Sequence, residues 1–123
     1  MFNFSGTRPT NLGVNNGKLA VCPGSPNCVN SQAEDGEFKI EPLTKATIAD
    51  VKKVVESLER TTIIEEKKDY LYVEFKSQLM GYVDDVEFYF DGKAIQVRSA
   101  SRLGKSDLGV NRKRIEDIRA KLQ

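Results

Sequence analysis

The densest supply of anion-binding chemistry in the chain lies between Arg98 and Arg112. Arg98, Arg102, Lys105 and Arg112 offer cationic donors, Ser99, Ser101 and Ser106 offer hydroxyls, and the small residues among them let the backbone turn closely. This stretch joins an expected strand end to an expected helix start, where the positive end of the helix dipole adds to the cations. Together these can hold a carboxylate or a phosphate. The opposing account is structural: the arginines pair with Asp84, Asp85, Glu87 and Asp107 and only hold the loop. Walker A spacing is absent, because Ser99 stands where a glycine is needed five positions before Gly104. Nucleotide hydrolysis is therefore not supported.

A second chemical candidate is Cys22-Pro23-Gly24-Ser25-Pro26-Asn27-Cys28, with its thiols six positions apart in a turn-forming segment. A disulfide would rigidify this loop, whereas a reducing cytosol would favour two thiols. The chain has no histidine, so two cysteines do not complete an ordinary zinc site and Cys28 lacks the usual activating base. No metal or cofactor is expected. Asp84, Asp85 and Glu87 supply carboxylates that an enzyme would use as bases, with the arginines as electrostatic stabilisers.

These residues need a scaffold, and hydrophobic periodicity outlines one. Glu37 to Glu41 alternates polar and apolar before Pro42 and predicts a strand. Ile48, Val51, Val54, Val55 and Leu58 recur at helical steps to about Arg60, and Thr47 with Asp50 resembles a capping box. Thr61–Glu66 and Tyr70–Lys76 predict paired strands across Lys67-Lys68-Asp69. Gly81–Phe90 and Ala94–Ser99 flank Asp91-Gly92, a strong two-residue hairpin signal. That turn would set Phe88 opposite Ile95, Glu87 opposite Gln96 and Asp85 opposite Arg98. Leu108, Asn111, Ile115, Ile118 and Leu122 then predict a helix capped by Ser106. Asn111 falls on its buried stripe, where an amide needs hydrogen-bond partners and would tie the helix to a neighbouring loop. Arg112, Arg114, Arg119 and Lys121 lie off the stripe, most of them as solvated charge.

The expected fold is α+β: a curved antiparallel sheet of about five strands with two helices on one face, in the order β-α-β-β-β-β-α. Residues 1–36 form an extended N-terminal arm with the cysteine loop, and residues 37–123 form the single α+β domain. The layout is similar to TATA-binding-protein-like and helix-grip folds, by topology alone. A length of 123 residues suits one core without a disulfide framework. With 19 basic against 18 acidic residues the net charge is +1, too small to gather nucleic acid, so no nucleic-acid partner is expected. No run reaches the ~20 apolar residues of a membrane span, and Met1 to Val21 lacks the pattern of a secretory signal. A small soluble cytoplasmic domain is expected.

Three motifs carry a family resemblance. Cys22-Pro23 with Ser25-Pro26-Asn27-Cys28-Val29, then Gly81-Tyr82-Val83-Asp84-Asp85-Val86-Glu87-Phe88, then Arg98-Ser99-Ala100-Ser101-Arg102 with Ser106 to Ile115, resemble family 1499 of the domains of unknown function. The likeness runs from about Leu19 to Leu122. That family occurs in bacteria, including cyanobacteria, and in plastid-bearing eukaryotes, and the Asn-rich leader here resembles its cyanobacterial members. The resemblance implies no activity, substrate or catalytic residue.

From the residues themselves, the expectation is that the three motifs meet. The cysteine loop would close a polar pocket in which Arg98, Ser99, Ser101, Arg102, Asn111, Arg112, Asp84, Asp85 and Glu87 bind a small anionic or amphipathic ligand. An enzyme with an Asp or Glu base is the alternative, and a protein-interaction module of a membrane or photosynthetic complex is a third.

Overall fold

A computed structural model describes residues 4–24, 27–34, 36–104 and 108–123. Alternating side chains give β3 (Tyr70–Lys76) one apolar face, Leu71 and Val73, and one polar face, Tyr70, Tyr72 and Glu74. The same alternation in β4 (Val83–Phe90) and β5 (Ile95–Ser101) puts Val86, Phe88, Ile95 and Val97 into the core. With β1 (Cys28–Asn30) and β2 (Thr61–Lys67) these strands form one open antiparallel sheet in the spatial order β1-β5-β4-β3-β2.

Two helices cover the apolar face. Helix α1 (Ile48–Glu56) buries Ile48, Val51 and Val55, while α2 (Val110–Lys121) buries Asn111, Ile115 and Ile118. All except Asn111 join the strand residues in one core. The Thr47–Asp50 capping box forms as the sequence indicates: the Asp50 N–H donates to Thr47 Oγ1 and the Thr47 N–H to Asp50 Oδ2. The α+β class and the element order are those expected, and no described helix is long and apolar enough to cross a membrane.

The first strand lies elsewhere than expected. Glu37–Glu41 contributes only an isolated parallel bridge between Asn30 and Lys39, although Ile40 is buried. The open edge of β5 is taken instead by Cys28–Asn30 and, further along, by Leu43 opposite Ile95. With that edge claimed, the pattern at 37–41 meets β1 through a bridge in which the Phe38 carbonyl accepts the Asn30 N–H at 2.8 Å, and it builds no strand there.

The hairpin register also differs. Phe90 pairs with Ile95, so residues 91–94 form a four-residue loop. Asp91 Oδ1 accepts the N–H groups of both Lys93 and Ala94 at 2.9 Å, and Gln96 Nε2 donates to Oδ2 at 2.8 Å. Asp91 thus organises the turn through its side chain, and only Gly92 takes a positive φ, at 99°. Phe88 therefore faces Val97, Glu87 faces Arg98, and Asp85 faces Ala100. Each partner moves by two residues, which keeps every side chain on its expected face. Ser106, the expected cap of the last helix, lies outside the described residues; α2 begins at Val110 behind Gly109, whose φ is 82°.

Replacing Asp91 with Ala removes three hydrogen bonds from this loop, two of them to backbone amides. A urea melt should show a loss of about 1–2 kcal/mol. An unchanged midpoint would mean that the loop holds without its aspartate.

Candidate functional site

Strand alternation splits the three motifs between the two sides of the sheet. Asp85, Glu87, Arg98 and Arg102 point away from the helices, together with Tyr70, Tyr72 and Glu74. The N-terminal segment crosses this face and makes it interior. Leu19 packs against Tyr70 and Tyr72, the Gly13 N–H donates to Glu87 Oε2 at 2.6 Å, and Arg8 reaches Glu74 at 2.6 Å. Arg98 Nε donates to the Ala20 carbonyl at 2.8 Å.

The centre of this layer is Asp85. Arg102 grips it with two parallel bonds, Nε to Oδ2 and Nη2 to Oδ1, both 2.8 Å, and also reaches Glu74 at 2.6 Å. The Tyr72 hydroxyl donates to Asp85 Oδ1 as well. The side chains of Asp85 and Arg102 are 1% and 7% exposed, so the pair is desolvated and depends on this geometry. The bond to Asp85 raises the Arg102 guanidinium pKa and outweighs burial. Burial pushes the Glu74 carboxyl up, but bonds from Arg8 and Arg102 outweigh it and leave the group below the usual value.

Glu87 is the exception. It is fully buried; Tyr70 Oη donates to its Oε2 at 2.5 Å, while Oε1 has no hydrogen-bond partner among the described residues. Burial raises its pKa, and the bonds from Tyr70 and Gly13 with the charge of Arg98 only partly offset that. Burial likewise lowers the pKa of Arg98. Cys22 and Cys28 form a disulfide, which anchors the crossing segment to β1 beside β5.

On the helix side, a second cluster joins β4, β5 and α2. Arg114 pairs with Asp84 at 2.8 Å and lies over the Phe75 ring, 4.8 Å from its centre. Asn111 is fully buried; its Oδ1 accepts from Ser99 Oγ and from Arg114, and its Nδ2 donates to Ser101 Oγ and the Asn27 carbonyl. The expected tie between helix and loop is thus made by Asn111. Above Asp84 and Arg114 opens a cleft of about 680 Å³. Ser101 joins them in its lining, and Phe4, Tyr82, Leu103 and Val110 form its apolar wall. A neighbouring groove of about 700 Å³ shares Arg60, Phe75 and Arg114 and continues along α2.

The expected ligand residues are therefore distributed. Asp84 and Ser101 line the cleft, and Ser99 and Asn111 brace Arg114 beneath it. Asp85, Glu87, Arg98 and Arg102 lie on the opposite side of the sheet under the N-terminal segment. Arg112 donates to the Glu37 carbonyl at 3.1 Å, so the three arginines do not gather around one space. Asp85 and Arg102 do meet, through direct pairing and from diagonal rather than opposed positions.

The family model for proteins of unknown function DUF1499 matches residues 18–122. The chain belongs to that family. No curated protein and no solved structure matches it. The DUF1499 match covers both motif clusters, on the two sides of the sheet. Arg114, Phe75 and Tyr82 are among the cleft residues that sequence reasoning did not single out as a site. Arg114 read as a solvated helix charge, and the available signal was its one-turn spacing from Asn111.

Two measurements probe these clusters. The raised pKa of Glu87 means that its protonated form favours folding: the contribution is complete below the ordinary value of 4.5 and is lost as pH rises through the higher folded value. Glu87→Gln should therefore match wild type in acid and become the more stable protein as pH increases. A constant difference in Tm across that range would contradict a raised value. Asn111→Ala leaves several buried groups without partners and should cost about 2–4 kcal/mol by denaturant titration.

Proposed function

We propose that this DUF1499 chain is a binding domain for a small amphipathic molecule with an anionic head, taken up in the cleft over Asp84 and Arg114. The observation that carries this is the pairing of an apolar wall with a basic polar floor in one open space. Phe4 stacks on Tyr82 with ring centres 5.3 Å apart, beside Leu103 and Val110. Arg60, Lys76 and Arg114 face two acids there, Glu59 and Asp84, so the lining carries one excess positive charge. Pockets that are mostly apolar with a few placed polar groups suit ligands of this type.

Binding is favoured over acid–base catalysis because the carboxylates of the motif are engaged. Asp84 is paired with Arg114, Asp85 with Arg102, and Glu87 lies beneath the N-terminal segment. The family names no reaction that would demand a free base. A cyanobacterial-type origin, suggested by the Asn-rich leader, belongs to this proposal, as do the absence of a nucleic-acid partner and a cytoplasmic location. The last requires the disulfide to persist, or be dispensable, in a reducing compartment.

Dodecyl phosphate is a suitable probe, with inorganic phosphate and dodecanol as its separate halves. At about one hundred times its Kd it should stabilise the fold by about 2.7 kcal/mol, which is a rise of several degrees in Tm. Neither half alone should match it at equal concentration. Lys76→Glu and Tyr82→Ser should each reduce the rise. An amphiphile that leaves Tm unchanged, or shifts both variants like wild type, would overturn the proposal.

A further inference from the structure

The mouth of the cleft is bordered by two loops whose composition is unusual for a free surface. The β3–β4 connection, Ser77-Gln78-Leu79-Met80-Gly81-Tyr82, contains no charged residue. Leu79 in it is 87% exposed and Tyr82 42% exposed. Across the cleft, the β5–α2 connection presents Leu103 at 42% and Leu108 at 95% exposure. Both loops reach the same space, since Ser77, Tyr82, Leu103 and Gly104 all line the cleft. The Phe4 N–H donates to the Met80 carbonyl at 3.2 Å, which ties the first loop to the N-terminal segment.

Large exposed apolar side chains on two loops that border one cleft mark an interaction surface. Their form and charge say which kind. The apolar groups stand on two separate loops rather than along one helix or strand face. Lys76, at the base of the uncharged loop, and Lys121, in the adjoining groove, have no carboxylate partner among the described residues, whereas the other cations of both spaces are paired. Single leucines that enter the headgroup region beside lysines that meet its charge are the components of interfacial docking on an anionic leaflet.

We infer that the cleft end of the molecule docks on an anionic lipid bilayer, inserting Leu79 and Leu108, with Tyr82 at headgroup level. The cleft then opens toward the leaflet, and the amphipathic ligand is a lipid taken from it. This builds on the ligand reading of the cleft but is tested apart from it.

The test is flotation of the whole chain with phosphatidylcholine vesicles, with and without about one third phosphatidylserine. The comparison variant is Leu79→Asn with Leu108→Asn. Leu108 has a left-handed backbone, φ 54°, which asparagine tolerates better than leucine, so the variant should fold. The wild type should float with the phosphatidylserine vesicles and be released by salt, and the double variant should partition at least about tenfold less. Lys76→Glu should weaken binding at low salt only. Failure to float, equal flotation on uncharged vesicles, or a double variant that behaves as wild type would each overturn the inference. So would a concentration-dependent dimer, without vesicle binding, that the double variant abolishes. If vesicles fail while dodecyl phosphate still raises the Tm of the double variant, the docking surface falls and the cleft stands. Vesicle binding without any amphiphile effect supports the docking surface and removes the cleft as its ligand site.

Discussion

The desolvated pair of Asp85 and Arg102 is the interaction on which the rest of the molecule depends. Arg102 holds the carboxylate from just beyond β5 while Asp85 sits in β4, so the pair joins two strands at the end distant from the Asp91 loop. Two charges so buried are tolerable only with every partner in place, because removing one leaves the other uncompensated at a cost of about 3–5 kcal/mol. Glu74, Tyr72 and the carbonyl of Ser5 complete the shell around Arg102. The N-terminal segment therefore belongs to the electrostatics of the sheet. It supplies Arg8 to Glu74 and an amide to Glu87, and it lies over the face on which Asp85 and Glu87 are buried.

With one face closed in this way, the consecutive residues of the motifs serve opposite purposes. Asp84 and Asp85 look into different environments, as do Arg98 and Ser99, because side chains in a strand alternate. The outward-facing members build a polar interior beneath the N-terminal segment. The inward-facing members, Asp84, Ser99 and Ser101, brace α2 through Asn111 and Arg114. The two clusters are coupled through the backbones of β4 and β5 and through Asn27-Cys28, where the Asn27 carbonyl accepts from Asn111 and Cys28 is bonded to Cys22. That leaves the helix-side cleft as the accessible space near the family motifs.

Much of the fold was legible because local chemistry and periodicity agreed. The capping box at Thr47, the alternation of β3 and the Asn111, Ile115 and Ile118 stripe of α2 all follow from residues close in sequence, whereas Leu108, expected on that stripe, lies before the helix with a left-handed backbone and is exposed. The hairpin shows the limit. Asp91-Gly92 announced a turn, but a carboxylate that binds two amides holds a four-residue loop, and nothing local distinguishes that from the shorter turn. The faces survived this difference because the shift was even. The strand expected at 37–41 failed for another reason: its alternation was genuine, but the edge it needed went to Cys28–Asn30 from the segment classed as an arm.

The sequence by itself determined which side chains share a face, since that follows from the two-residue period. It also determined the family. Only the tertiary structure decided that the charged face is covered, that Arg98 and Arg102 are engaged internally, and that Arg114 stands on the floor of a cleft. Those outcomes depend on where a turn-rich segment and a helix terminus come to rest, which is governed by long-range pairing of buried charges and amides. Sequence periodicity carries no record of that pairing.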